Sequence, residues 1–392
     1  MTKPLVSIIT PCYNGEAFLK RYFESILNQT YPNLELIFIN DGSTDRTEEI
    51  ALSYRERLEK RGITYIYEKQ ENAGQAAALN RGLKLFKGEY LTWPDSDDVM
   101  TKDSIEKKVH FLEKNPKYEM VRSNGVYFDE TTHKKKRISD QTSDKKEDIF
   151  EDLVLLRTYG CCGCYMIRKS LLEKIYPKRD IFVSRYGQNW QILVPAASKS
   201  KCGYIDEELY IVFEHADSHS RSKRTAIQEM DRWDGFTEIL LSAIDESDCD
   251  KEKCKRRVKE NCARQQFYYA ITMNDKAILK EKFYDIKSLL FKEILENEDY
   301  YKVASILPNP GNDNKIVKCV NILDKKYMAG REVVDCTKTP GAIPAEAAEV
   351  LKSIRATEDP VSVKLSFGKE MKAEVYMLSL IHISEPTRPR LI

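Results

Sequence analysis

Asp95-Ser96-Asp97-Asp98 places three carboxylates within four positions. Such charges repel one another unless something cationic sits among them. A hard divalent ion, Mg²⁺ or Mn²⁺, would satisfy them by taking one or two carboxylates and completing its shell with the phosphate oxygens of a substrate. An Asp-rich turn that caps the next helix is the other reading of the same residues. Two more polar turns precede this one, Pro11-Cys12-Tyr13-Asn14-Gly15 and Asn40-Asp41-Gly42-Ser43-Thr44-Asp45. The first turn lacks G-x-G-x-x-G, so a dinucleotide fingerprint is absent, and no G-x-x-x-x-G-K-[ST] indicates a P-loop.

The elements that must position these turns follow from periodicity. Leu5 to Thr10, Leu34 to Ile39, Ile63 to Tyr67 and Tyr90-Leu91-Thr92 are short apolar runs that read as buried strands. Helical spacing separates them: Phe18, Leu19, Tyr22, Phe23, Ile26, Leu27; then Ile50, Ala51, Tyr54, Leu58; then Ala76, Leu79, Leu83, Phe86. Asn14 is placed to cap the first helix, and Ser43 or Thr44 the second. This β-α-β-α-β-α-β order predicts a parallel sheet covered on both faces, with the three polar turns gathered along its carboxyl edge. Further on, a helix carries Ile105, Val109 and Leu112, and strands are expected at Met120-Val121, Val126 to Phe128, Tyr165 to Ile167, Gly203 to Ile205 and Leu209 to Val212. A helix is expected from Asp148 to Arg157, and another around Trp190, Leu193, Val194 and Ala197. His133 to Arg137 reads as a solvated hairpin tip, or as a contact for an anionic lipid surface or an acceptor diphosphate. After Ser222 long amphipathic periods predict a helical appendage.

Composition narrows the class. Lys plus Arg number 63 and Asp plus Glu 62, so no global charge draws the chain to nucleic acid. Hydrophobic content is 42% and charged content 32%, a soluble profile with no run approaching the ~20 residues that span a bilayer. Met1 to Pro4 reads as no secretory signal, so a cytoplasmic location is expected, with peripheral contact at the inner face of the plasma membrane through the appendage. The ten cysteines are then expected as thiols. Cys161-Cys162-Gly163-Cys164 lacks a second Cys/His pair at zinc spacing and reads as packed thiols.

In order along the chain, Val6 to Asn14, Leu27 to Tyr31, Asn40 to Asp45, Asn72 to Gly74, Ala78 to Gly82 and Asp95 to Asp98 resemble the motifs of family 2 glycosyltransferases of GT-A fold. The resemblance runs from Pro4 to about Arg221. It implies an α/β fold, a mostly parallel sheet sandwiched by helices, to which the amphipathic periods after Ser222 add a mainly helical C-terminal region. It implies a nucleotide-sugar donor, most often a UDP-sugar, and a saccharide or lipid-linked acceptor in cell-surface polysaccharide or glycolipid synthesis. Carried over, Pro11, Tyr13 and Asn14 would line the nucleoside pocket and Asp41 would accept a hydrogen bond from the uracil. Asn72, Gly74 and Asn80 would lie near the ribose or diphosphate. Asp95 would face the ribose and Asp97 would bind the metal, with Asp95 and His219 as further candidate ligands. Arg221 would meet phosphate. A divalent ion would stabilise the departing nucleoside diphosphate, and in-line attack by the acceptor hydroxyl would invert the anomeric centre.

The family's acidic pair is replaced here by Gln188-Asn189, and neither amide takes up a proton near neutral pH. Asp180, Glu214 or His219 would then supply the base, or Gln188 and Asn189 would orient an acceptor that needs no strong one. A sugar-nucleotide-binding module without transfer is the alternative outside catalysis. A nucleotidyltransferase is the alternative enzyme, although Pro11 to Gly15 is a poor triphosphate loop. The expected divisions are residues 1–221 for the GT-A domain, 222–306 for the helical appendage, 307–378 for a weakly patterned region and 379–392 for a non-native tail. That tail, from Ser379, resembles translated read-through of a sequencing adapter.

Overall fold

The computed structural model describes residues 3–139, 145–214, 224–273, 278 and 281–282, and short strands at 307–308, 363–367 and 371–375. His219, Arg221 and the tail at 379–392 lie outside the described residues. Two compact units divide the chain, Met1–Ser222 with Asp234–Lys259, and Lys223–Trp233 with Glu260–Ile392.

The first unit begins with β1 (Val6–Cys12), α1 (Leu19–Leu27), β2 (Leu34–Asp41), α2 (Thr47–Ser53), α3 (Arg55–Lys60), β3 (Thr64–Gln70), α4 (Gln75–Leu85) and β4 (Tyr90–Thr92). β1 and β2 are buried along their whole length, as continuous apolar runs in a covered parallel sheet should be. β1 pairs in parallel with β2 (Val6↔Leu34) and with β4 (Val6↔Tyr90), and β2 with β3 (Glu35↔Thr64). Leu19, Tyr22, Phe23 and Ile26 form the buried stripe of α1. Close approach of α4 to β1 depends on Gly82, where a Cβ would come within 2.3 Å of Ile9 Cγ2. Glu35, buried on β2, accepts hydrogen bonds from Lys87 N at 2.6 Å, Gly88 N at 3.1 Å and the Ser7 hydroxyl. Those bonds pin the turn that feeds β4.

Beyond β4 come β5 (Val99–Met100), α5 (Ser104–Lys114), β6 (Met120–Asp129), β7 (Lys135–Arg137), α6 (Phe150–Val154), a 3-10 turn at Cys162–Cys164, β8 (Tyr165–Arg168), α7 (Lys169–Ile175), α8 (Gln188–Lys199) and β9 (Cys202–Glu214). The sheet order is β3-β2-β1-β4-β8-β6-β9-β5, with β7 beside β6. Past β4 the sheet is mixed: β8 is antiparallel to both β4 and β6, β9 is parallel to β6, and β5 is antiparallel to β9. The chain leaves β4 inside the sheet and re-enters it at β5 on the edge, so residues 93–98 are anchored at both ends.

Several local expectations are corrected. Met120 to Phe128 is one strand, not two, and so is Cys202–Glu214. The register jumps from Ser123↔Ile205 to Asn124↔Glu208, so Asp206 and Glu207 bulge out of the ladder between two apolar runs. There they pair with Arg137 at 2.8 Å and Lys107 at 2.5 Å. Asn14 does not cap α1, which starts at Leu19 without a side-chain cap. Ser43 and Thr44 do not cap α2; Asp45 Oδ1 accepts from Thr47 N at 2.9 Å instead.

After β9 follow α9 (Ala226–Asp245) and α10 (Lys251–Met273), of which Asp234–Lys259 belongs with the first unit. In the second unit Gln266 Nε2 donates to Met230 O at 3.2 Å, and three short strands pair near the C-terminus. No helix among the described residues is long and apolar enough to cross a membrane.

Candidate active site

The turns after β1 and β2 are laced together. Asn14 stands in the left-handed region at φ 50° and its Oδ1 accepts from Thr44 N at 2.9 Å. Asn14 N donates to Ser43 Oγ at 2.9 Å, Gly15 N to Thr47 Oγ1 at 2.7 Å and Glu16 N to Asp45 Oδ2 at 2.9 Å. Side chains of one turn thus satisfy the backbone donors of the other, which makes a single ledge from two loops. Tyr13 projects from it, 51% exposed.

Asp41, at the end of β2, is buried and accepts three hydrogen bonds: Gln70 Nε2 at 2.7 Å and Ala73 N at 3.0 Å on Oδ1, and Gly74 N at 2.9 Å on Oδ2. Gly74 stands at φ 90°, a conformation that suits glycine, and opens α4. One residue on, Gln75 Nε2 donates to Asp95 Oδ1 at 2.8 Å. The N-terminus of α4 therefore bridges Asp41 and Asp95, and the turns after β2 and β4 share one rim. Asn72 lies on the same rim, exposed, its backbone N 2.6 Å from where a Gly42 Cβ would stand.

The aspartate turn is built from beneath. Thr10 Oγ1 donates to Pro94 O at 3.3 Å, and Ser96 hydrogen-bonds the buried Cys12 thiol, which burial pushes up to about 12. The Tyr210 hydroxyl accepts from Asp95 N at 3.1 Å and also hydrogen-bonds Asp98. Asp98 is buried, and its Oδ1 accepts from Phe213 N at 3.0 Å. Cys162 Sγ donates to Asp95 Oδ2 at 3.1 Å. Gly163 packs on Tyr210, where a Cβ would meet the ring at 1.9 Å, and its carbonyl accepts from the buried Lys108 Nζ at 2.6 Å. Burial and then the Asp97 charge push Asp95 up to about 6. Asp98 is held well above the carboxylate range, by burial first and then by Asp97 and Asp95. The three carboxylates therefore share one field, the condition a cation relieves.

The structure brings Pro11, Tyr13, Asn14, Asp41, Asn72, Gly74, Asp95 and Asp97 to this rim and its two laced turns. Asn80 serves elsewhere. Its Nδ2 donates to Ile181 O and its Oδ1 accepts from Ile181 N, both at 2.8 Å, so its amide is spent on the backbone ahead of α8. Asp180 is half exposed and pairs with Lys84 at 3.4 Å, engaged on the surface rather than at the rim. Gln188 and Asn189 open α8; Gln188 is buried, and Asn189 Oδ1 accepts from Trp93 Nε1 at 3.0 Å. Glu214 closes β9, its main-chain oxygen accepting from Glu130 N at 3.2 Å. Sequence reasoning missed Gln75, Cys162, Tyr210 and Lys108 as supports of the turn. Tyr210 read as one more residue of an apolar run, and Lys108 as a helix residue without distinction.

Among the described residues no group of three or more His, Cys, Asp or Glu side chains is arranged to hold a metal by itself. The crowded oxygen donors of the aspartate turn fit a hard cation that takes the rest of its shell from substrate oxygens. Asp97 would be its protein ligand, with Asp95 beside it.

The Glycosyl transferase family 2 model matches residues 7–176. An uncharacterized glycosyltransferase of Rickettsia typhi is 32% identical over 242 residues, 60% of this chain and 73% of the relative. An uncharacterized glycosyltransferase of Haemophilus influenzae is 42% identical over 127 residues, 32% of this chain and 48% of the relative. Among solved structures, S. aureus TarS 1–349 in complex with UDP-GlcNAc superposes with a TM-score of 0.51 at 16% identity, covering 74% of this chain and 80% of that one. The mannosyltransferase PcManGT from Pyrobaculum calidifontis, in complex with GDP-Man and Mn²⁺, gives 0.50 at 16% identity, covering 76% and 82%. At such identities the superpositions speak for the fold, while the Rickettsia relative and the family model speak for descent: the chain belongs to glycosyl transferase family 2 and is a glycosyltransferase of GT-A fold.

Proposed function

We propose that the chain moves a sugar from a nucleoside diphosphate sugar, a UDP-sugar first among them, to a saccharide or lipid-linked hydroxyl acceptor with inversion. The observation that carries this is the bridge at the start of α4, which joins Asp41 to Asp95 through Gly74 N and Gln75. It sets a ledge for the nucleoside beside a cluster of carboxylates for a cation and diphosphate. The complexes of TarS with UDP-GlcNAc and of PcManGT with GDP-Man and Mn²⁺ support a donor of this class on this fold. A divalent ion, Mn²⁺ or Mg²⁺, would neutralise charge on the leaving diphosphate.

The chain's own residues do the rest. Asp41 and the laced turns at Asn14 and Thr44 hold the nucleoside, and Asp95 and Asp97 face the ribose and diphosphate side. His219 and Arg221 would act on the same diphosphate from the segment after β9. Trp93 Nε1 donates to the amide oxygen of Asn189 at 3.0 Å, which fixes the amide, and its Nδ2 donors would meet the acceptor. Gln188 and Asn189 thus orient the acceptor rather than deprotonate it. A cell-surface polysaccharide or glycolipid is the acceptor class, reached at the inner face of the membrane.

The test is a panel of UDP-, GDP- and TDP-sugars scored by thermal stabilisation with and without Mn²⁺. Stabilisation by one nucleotide class, strengthened by Mn²⁺ and followed by release of the nucleoside diphosphate, is expected. A panel without any stabilising donor would overturn the reading.

A further inference from the structure

Arg21 lies on α1, outside every motif that marks the family resemblance, yet it reaches the aspartate turn. Its Nε donates to the main-chain oxygen of Asp97 at 3.0 Å, and its Nη1 donates to Glu130 Oε1. The guanidinium covers the Phe213 ring with its carbon 3.8 Å from the centroid, and Phe18 flanks it at 5.0 Å. Phe213 in turn donates its N–H to Asp98 Oδ1 at 3.0 Å. Two neighbouring residues of the turn are therefore gripped by one assembly. Arg21 takes the carbonyl of Asp97, and the strand residue under Arg21 takes the side chain of Asp98.

We propose that Arg21 is a positioning residue for Asp97. The proposal rests on the donor-site reading above, in which Asp97 meets the cation and diphosphate. With the Asp97 carbonyl held by Nε and the Asp98 carboxyl held by Phe213, the peptide between them has one orientation, and the Asp97 side chain leaves the turn in one direction. The planar fork matters here: Nε and Nη1 point at fixed angles, so the pairing with Glu130 sets the aim of Nε at Asp97. A lysine has no fork to aim: its ammonium would turn to the Glu130 carboxylate and leave the Asp97 carbonyl unheld. Arg21 Nη2 is buried and has no hydrogen-bond partner among the described residues. Native structures leave few buried donors unsatisfied. The other two nitrogens are engaged by Asp97 and Glu130.

Two measurements test this on the full chain. The first needs no ligand: amide hydrogen exchange of peptides spanning 95–99 in wild type, Arg21→Gln and Arg21→Lys. Both variants should exchange about tenfold faster there, as loss of one backbone-directed hydrogen bond allows, with β2 unchanged. Arg21→Lys keeps charge and length, so it stays folded should Arg21→Gln fail to. The second is calorimetric binding of UDP. In Mn²⁺ the variants should bind about tenfold more weakly than wild type, and without Mn²⁺ within about twofold of it. Unchanged exchange at 95–99, or binding that falls equally with and without Mn²⁺, overturns the assignment. Wild-type protein that ignores UDP in Mn²⁺ would instead count against the donor reading, and the exchange result would still decide for or against Arg21.

Discussion

Replacing Lys108 with Met probes the support beneath the aspartate turn. Lys108 is fully buried, donates to Gly163 O at 2.6 Å and lies near the thiols of Cys161, Cys162 and Cys164. Burial lowers its ammonium from 10.5 to about 8. Charging it inside the fold therefore costs about 3 kcal/mol relative to the unfolded chain, at about 1.4 kcal/mol for each unit of pKa. The folded value lies below the unfolded one. Between about pH 8 and 10.5 the unfolded chain then binds more protons, so this group adds stability as pH rises through that window. Below pH 8 the full cost is present; above 10.5 it is gone. Met fills similar volume without charge, so it escapes the cost at every pH. The stability gap between Lys108→Met and wild type should shrink by about 3 kcal/mol in favour of wild type from pH 7.5 to 10.5. Burial holds thiols such as Cys12 and Cys202 and hydroxyls such as Tyr22 and Tyr165 above this range in the fold, so they titrate within it only on unfolding; both proteins carry them, so they cancel in the difference. Urea unfolding of the pair at pH 7.5, 8.5, 9.5 and 10.5 measures it. A gap that stays flat across that series would refute the reasoning.

Three further outcomes follow from the same geometry. Asp97→Asn removes the charge that helps hold Asp95 and Asp98 high, so the unliganded protein should melt at a higher temperature while Mn²⁺-dependent stabilisation by UDP disappears; differential scanning fluorimetry reads both. Asp41→Asn points an amide at one of the donors from Gln70, Ala73 and Gly74, and should cost about 2–3 kcal/mol in urea unfolding while weakening UDP binding. Asn80→Ala should cost about 2 kcal/mol of stability through the lost bonds to Ile181 yet leave UDP affinity within about twofold by calorimetry, because Asn80 braces the backbone ahead of α8 rather than the nucleotide.

Local pattern carried the first half of the sheet. The apolar runs at Val6, Leu34, Thr64 and Tyr90 became β1 to β4 in parallel order, since strand period, helix period and right-handed crossover leave few other topologies. The polar turns after β1, β2 and β4 were legible for the same reason: breaker residues after a buried run mark the carboxyl edge where ligands bind. Short-range rules failed where a side chain chose a distant partner over its own helix end. Asn14 holds Thr44 instead of capping α1, and Asn80 holds Ile181, 101 residues away.

Pattern along the chain was also silent on what supports the aspartates. Nothing near Arg21 or Lys108 in sequence distinguishes either from a solvated helix residue. Their roles arise because α1 and α5 bring them under a turn 76 positions on, for Arg21, and against a glycine 55 positions on, for Lys108. The amino-acid sequence by itself determined the first four strands and their order, where the polar turns fall, and hence the family. Only the tertiary structure decided which carboxylates share one field and which cations brace the turn and the glycine beneath it, because burial and charge depend on distances through space that no periodicity encodes.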